Sequence, residues 1–162
     1  MNIRLKGKYL YYLNNKIKCA IGKNGITKNK KEGDLKTPSG YFKLKKIFYR
    51  RDRIKFFKSY IKKCCIKKNI GWCDDPSSQY YNKEIKLPFK GSTEKLWRKD
   101  NIYDLIIVIN YNFNPIIKNR GSAIFLHICK KNYAPTKGCV AINKKDMMNL
   151  LVNIKSNTKF II

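Results

Sequence analysis

Two residues in this chain have the types and spacing to do chemistry together. His127 is the only histidine, and Cys139 directly follows Gly138, 12 positions later, in the stretch HICKKNYAPTKGCVA. An imidazole and a thiol are the minimum parts of thiol acyl-transfer chemistry. The base takes the proton, the sulfur attacks a carbonyl, and the base returns the proton to the leaving group. A cysteine ordinarily titrates near ~8.5, so without such a neighbour little of it is thiolate at neutral pH. Gly138 allows a tight turn and can aim the amides of Gly138 and Cys139 at a developing oxyanion. Cys129 competes for the nucleophile's role, since two residues beyond His127 it shares a strand face with it. A strand thiol is usually inert packing, whereas Cys139 sits in a loop that can meet substrate. The bland alternative is a core histidine beside a small buried thiol.

The elements around these residues read as mainly β. Ala123 to Leu126 is an apolar run that delivers the histidine, and Pro135 and Gly138 mark the loop that delivers the cysteine. Lys8–Leu13 and Lys16–Ile21 read as a hairpin turning at Asn14-Asn15, where asparagine tolerates positive φ. Gly22 to Gly40 is a polar loop ending in the turn signal Thr37-Pro38-Ser39-Gly40. Tyr41–Tyr49 reads as a strand, and Arg50–Lys68 fits helix or strand equally. In Gly71–Asn82, adjacent Asp74 and Asp75 suggest acid/base work or a metal, but Asp before Pro more often makes a turn. Ser92–Arg98 reads as a short helix burying Trp97. Tyr103–Ile109 is the strongest core strand, rich in β-branched residues, and Gly121–Ile128 is the second. Asn143–Ile154 is the clearest helix, with Asn143 as N-cap, Asp146 near the amide end, and Met147, Leu150, Leu151 and Ile154 on one face. Thr158–Ile162 reads as a closing strand.

Composition bounds the rest. A chain of 162 residues suits one domain, 1–162, able to bury roughly 70% of its unfolded surface without metal or disulfides. The formal charge of +27 invites a nucleic-acid reading, because Lys and Arg displace phosphate counterions. Yet the arginines are few, the lysines are spread, and Ile, Asn and Tyr crowd the chain as codon bias would produce. No dedicated nucleic-acid surface is therefore expected, although the charge favours anionic partners such as carboxylate-rich polymers. With Cys139 set aside, five of the six cysteines remain, an odd number for a disulfide framework. No CxxC pair suggests zinc, so no metal or cofactor is expected. The N-terminus MNIRLKGKYLYYLNN lacks the apolar core of an export signal. No run approaches the ~18 apolar residues of a membrane span.

Together, GSAIFLHI and PTKGCVAI resemble the catalytic segment of the L,D-transpeptidase (YkuD-like) family. That family carries a histidine upstream of a Ser/Thr-x-Gly-Cys-aliphatic motif, matched here by Thr136, Gly138, Cys139 and Val140. The blocks Lys31-Glu32-Gly33-Asp34, Thr37-Pro38-Ser39-Gly40, Gly71-Trp72-Cys73-Asp74-Asp75-Pro76, Leu96-Trp97-Arg98 and Tyr103-Asp104 resemble those of a subgroup of short bacterial members. The resemblance implies a mainly β, β-sandwich-like catalytic domain with a C-terminal α-helix, acting on peptidoglycan stem peptides. It implies Cys139 as nucleophile, His127 as general base and acid, and Gly138, Thr136, Arg120, Arg98 and Trp72 at the oxyanion or substrate. Two positions depart from the pattern. Ala141 stands where many members carry Arg or Asn, leaving Arg120 or Arg98 to supply a polar group, and Lys137 stands where His or Arg is common. Cross-linking outside the cytoplasmic membrane is expected from the family, while the absence of a visible signal leaves a cytoplasmic stem-trimming L,D-carboxypeptidase as an alternative. A basic protein binding anionic wall polymer or nucleic acid, and a thiol hydrolase of unrelated substrate, are the other readings.

Overall fold

The computed structural model describes residues 2–162. Its frame is a chain of strands with one helix near the end. The strands are β1 (Asn2–Lys6), β2 (Tyr9–Tyr12), β3 (Asn15–Ala20), the short β4 (Ile26–Thr27) and β5 (Thr37–Pro38), then β6 (Tyr41–Tyr49) and β7 (Lys63–Cys65). There follow β8 (Ile70–Cys73), β9 (Glu84–Lys86), β10 (Thr93–Lys95), β11 (Leu105–Ile109), β12 (Phe125–Ile128), β13 (Val140–Ile142), helix α1 (Lys144–Asn153) and β14 (Lys159–Ile161).

Nine strands form one sheet in the order β11-β12-β13-β3-β2-β1-β14-β6-β7, and β11 also pairs with β6. The sheet thereby closes on itself and is barrel-like, which corrects the sandwich-like expectation. The cause is the length of β6: residues 41–43 pair with β14 while residues 44–49 pair with β11, so one strand carries both ends of the sheet.

Burial on both faces explains the unbroken apolar run of β11. Leu105, Ile107 and Ile109 face one core with Leu126, Ile128, Val140 and Ile142, and α1 covers it with Met147, Leu150 and Leu151. Ile106, Val108 and Phe125 face a second core, packed by Phe48, Trp72 and Leu96. The helix begins where the sequence suggests: Asn143 Oδ1 accepts the Asp146 amide at 2.8 Å.

Three local expectations need correction. The first hairpin turns one residue earlier than Asn14-Asn15, because Tyr12 pairs with Asn15 and the left-handed residue is Leu13, at φ 51°. This register sets Leu10 opposite Ile17, both buried, and leaves the strained Leu13 in solvent. Ser92–Arg98 is not helical: Thr93–Lys95 pairs with Gly71–Cys73 in a second sheet, ordered β10-β8-β9. There the β10 backbone finds its partners on β8, Leu96 is buried, and the half-buried Trp97 lies under Arg50, whose guanidinium is 3.6 Å from the indole centroid. The second core strand begins only at Phe125, since Gly121 and Ala123 adopt φ 95° and 50° and break the extended run.

Leu151→Ala would empty a fully buried site between α1 and the sheet. We expect it to cost about 2–5 kcal/mol in urea unfolding, with the slope of the transition unchanged.

Candidate active site

His127 and Cys139 come together because β12 and β13 are parallel neighbours. His127 pairs with Ala141 and Leu126 with Val140, so Phe125, His127, Cys139 and Ala141 share the face opposite α1. Cys139 enters β13 beside Phe125, whose amide donates to Cys139 Sγ at 3.3 Å. The thiol donates to Ala123 O at 3.1 Å. Both partners lie on the chain just before the histidine, so thiol and imidazole are diagonal neighbours on one sheet face. Among the described residues the thiol bonds to these two groups and not to His127.

His127 is buried, and its Nδ1 stands 2.9 Å from Ile128 O. A carbonyl only accepts, so Nδ1 carries the proton and Nε2 keeps the lone pair of a base. The ring packs edge-on against Tyr103, centroids 5.2 Å apart. Burial pulls the imidazole down to about 4, against a smaller upward pull from the Ile128 carbonyl. Burial likewise pushes the Cys139 thiol up to about 12; the Phe125 amide and the Lys30 charge oppose this, and the Glu94 charge adds to it. At neutral pH the site therefore holds a neutral thiol and a neutral imidazole rather than an ion pair.

The loop before the cysteine is held from inside. Thr136 Oγ1 donates to Cys139 O at 2.6 Å and accepts the Gly138 amide at 3.1 Å. Gly138 sits at φ 142°, and a Cβ there would lie 2.9 Å from Lys36 O, so no other residue fits. With its amide given to Thr136, Gly138 is not free to bind an oxyanion; of the two expected amides, that of Cys139 is left.

On the histidine side, Asn82 Oδ1 accepts from Trp72 Nε1 at 3.0 Å and from the Ala123 amide at 3.1 Å. Its Nδ2 donates to Tyr111 O and Asn112 O. Glu32 accepts from the Tyr81 hydroxyl and from Ser122 Oγ, and Tyr81 in turn accepts the Gly121 amide. The left-handed Ala123 that receives the thiol proton is thus fixed by buried polar groups.

A cavity of about 470 Å³ opens on the pair. Thr136, Gly138, Arg98, His127 and Cys139 line it. Arg120 does not: it lines a separate depression with Lys118 and Asn119. Trp72 is buried, its ring edge-on to Phe125, and supports the site from below. Ala141, which stands where many family members carry Arg or Asn, lines the cavity, and Arg98 is the arginine that reaches the lining. Arg98 is held by Asp100 at 2.8 and 2.9 Å. Cys129 lies outside the lining, its amide bonded to Ile142 O. Asp75 accepts from both the amide and hydroxyl of Ser77, the turn role expected before proline, while Asp74 lines the cavity. Lys30, Asn82, Tyr81 and Glu94 were not singled out from sequence. For Tyr81 and Asn82 no local signal exists, because they have partners 49 and 41 positions away; Lys30 meets its partners within four residues, but nothing in a lysine-rich sequence marks it as the buried one. For Glu94 the clue was scarcity, an acid among 37 basic residues.

A half-buried thiol and a buried imidazole with a fixed tautomer, together in the lining of one cavity, are an arrangement suited to acyl transfer. The family model of the L,D-transpeptidase catalytic domain (YkuD) matches residues 2–162, essentially the whole chain, and the chain belongs to that family. No curated protein and no solved structure matches the chain.

Two measurements follow from the neutral pair. Alkylation of Cys139 by iodoacetamide, read by peptide mapping, should rise about tenfold per unit between about pH 7 and about pH 9, as the thiolate fraction does. An ion pair would give a plateau across neutral pH instead. For His127 the folded value is depressed, so below the unfolded value of about 6.5 the unfolded chain binds the extra proton. Stability should fall as pH drops from about 6.5 to about 4, by on the order of 3 kcal/mol, more in wild type than in His127→Gln. Urea unfolding of the two proteins across that window measures the difference.

Proposed function

We propose that this protein is a peptidoglycan L,D-transpeptidase whose nucleophile is Cys139. The observation that carries the reading is the pairing of β12 with β13, which sets one thiol and the only imidazole on the same face at the floor of one cavity. In this reading Cys139 Sγ attacks the carbonyl of the diamino acid at the third stem position as its proton passes to His127 Nε2. The carbon–nitrogen bond to the terminal D-alanine breaks, and His127 returns the proton to the leaving amine. The thioester is then attacked by the side-chain amine of a neighbouring stem, His127 takes a proton from that amine, and the thiol is regenerated. The product is a 3→3 cross-link; attack nearer the sugar would give 1→3, and water as acceptor would give stem trimming.

Burial shapes how this chemistry starts. With both groups neutral, deprotonation of the thiol is coupled to attack, and the Cys139 amide serves in this reading as the backbone donor to the growing oxyanion. Lys30 supports the same charge. It is a buried lysine lining the cavity, held by Asp34 Oδ1 at 2.5 Å and by Lys31 O at 2.8 Å. Burial alone would raise the Asp34 carboxyl, but the Lys30 ammonium and the Lys31 and Lys36 amides hold it below the ordinary range.

Intact mass after incubation with a disaccharide-tetrapeptide tests the reading. Wild type should gain an adduct equal to the donor less D-alanine, and Cys139→Ala should gain none. His127→Gln should form the adduct at least about a hundredfold more slowly. An unmodified wild type with an unaltered muropeptide would sink the proposal and leave the binding reading, which predicts salt-sensitive association that survives Cys139→Ala.

A further inference from the structure

Acids and bases are not mixed evenly over this molecule. Residues 2–31, 35–51 and 147–162 hold none of the chain's 10 acidic residues. Those segments contain β1, β2, β3, β6 and β14, which are neighbours in the order β3-β2-β1-β14-β6. Their inner residues fill the core beneath α1, and their outer residues are exposed apart from the half-buried Ile161. Register builds rows of cations and rings on this outer face. In one row Tyr9 lies between Lys6 and Lys18, and in the next Tyr11 lies between Arg4 and Lys16. The second row runs on through Ile161 to Tyr41, which is 80% exposed. In a third, Lys43 lies directly opposite Lys159. Rows stand about 7 Å apart along the strands, and five strands span roughly 19 Å.

Like charges directly opposite on a sheet destabilise it, and a carboxylate beside them would offset that. The protein supplies none here. Among the described residues no salt bridge includes Arg4, Lys6, Lys16, Lys18, Lys43 or Lys159. Lys16 and Lys18 lie instead over the rings of Tyr9 and Tyr133, 4.3 and 4.9 Å from the centroids. A lysine-rich composition accounts for the number of cations, but not for the placing of all 10 acids outside these five strands. The face also leads to the catalytic pair. His127 pairs with Ala141 and Ala141 with Ala20, so Ala20, Lys18 and Lys16 continue along β3 the face that holds the imidazole and thiol. Tyr133, beneath Lys18, immediately precedes Ala134 of the cavity lining.

The charge calls for a partner with repeated anionic groups, long enough to lie on the face while one branch enters the cavity. We infer that the outer face of β3-β2-β1-β14-β6 docks the carboxylate-bearing glycan–peptide polymer whose stems the cavity processes. This rests on the transpeptidase reading above. Free carboxylates of neighbouring stems meet the lysines and Arg4, and sugar rings pack on Tyr9, Tyr11 and Tyr41 between them. Contacts of this kind are weak one by one. Held at many points, the polymer presents its stems to the cavity at a raised local concentration. A nucleic acid is the weaker candidate, because Arg4 is the one arginine in these rows and bidentate phosphate contacts call on arginine.

The test uses the full chain carrying Cys139→Ala, so that no covalent adduct contributes to binding. Sedimentation with purified insoluble peptidoglycan gives the dissociation constant of this parent and of two variants built on it. One carries Arg4→Gln, Lys16→Gln and Lys159→Gln on the face. The other carries Lys55→Gln, Lys62→Gln and Lys68→Gln, three exposed lysines outside these strands, and loses the same net charge. The face variant should bind about tenfold more weakly, and the control within about twofold of the parent. Salt at about 0.5 M should release the parent. Amidating the polymer's carboxylates should weaken the parent about tenfold and the face variant little further. Thermal unfolding should find the face variant at least as stable as the parent, since opposed like charges are removed. With Cys139 restored, the rate on insoluble polymer relative to that on the soluble disaccharide-tetrapeptide should fall about tenfold in the face variant. Equal losses in the two triple variants, indifference to amidation, or tighter binding of a single-stranded oligonucleotide than of the polymer overturns the dock. A wild type that forms no adduct with the soluble donor sinks the transpeptidase reading and the dock's substrate with it. A wild-type adduct with a face variant that binds like its parent sinks the dock alone.

Discussion

The site depends on one constraint: β12 and β13 are parallel strands buried on both faces. A strand with one solvated face can slip by a residue at the cost of exposing its apolar set. Here a slip would carry Leu126, Ile128, Val140 and Ile142 out of the core beneath α1 and into the face that holds His127 and Cys139. The apolar residues thus fix which face the imidazole and thiol share, and the polar loops only refine it. This division of labour suits a catalytic pair, because sheet register sets position and loop hydrogen bonds set orientation.

Refinement comes from groups distant in sequence. Asn82, from the loop after β8, ties Trp72, the 111–112 backbone and Ala123 together. Ala123 is held in the left-handed region, rare for a residue with a Cβ. Its carbonyl receives the thiol proton, so strain at Ala123 and the position of Cys139 are linked. Strain at such a point persists only where the surroundings over-determine it, and Asn82, Tyr81 and Glu32 supply that here.

Sequence made the central elements legible for identifiable reasons. β11 has a run of β-branched residues that only a two-sided strand needs, and α1 has both its cap and its apolar stripe within a dozen residues. The hairpin register was less legible. Registers that differ by two keep the same faces buried, and pattern alone does not separate them. Ser92–Arg98 misled because its three strand residues take their partners from β8, some 20 positions earlier, and not from local propensity. The closure of the sheet was equally hidden, since it depends on one long strand changing neighbours halfway along. Of the expected site, His127, Cys139, Gly138, Thr136 and Arg98 reach the cavity, while Arg120 and Trp72 do not. Adjacency in sequence carried the first group, whereas placing an arginine 19 positions before the cysteine required three-dimensional knowledge of the 117–120 turn.

Charge is where composition and structure diverge most usefully. A formal +27 spread over lysines gives little information about any one of them, because a biased genome supplies lysine wherever solvent tolerates it. The same bias makes exceptions informative. Lys30 is almost fully buried, which drift does not explain, since a buried ammonium needs its partners in place. Asp34 and the Lys31 carbonyl provide them. Among the acids, Asp52, Asp100 and Asp104 are paired with arginines and Asp146 caps α1. Glu94 is paired with Arg98, and once these structural duties are removed Asp74 Oδ1, at the cavity wall, is the buried carboxylate oxygen without a partner among the described residues. In a lysine-rich chain the cavity that holds His127 and Cys139 is therefore distinctive for the acids in its lining, Glu32, Asp74 and Glu94.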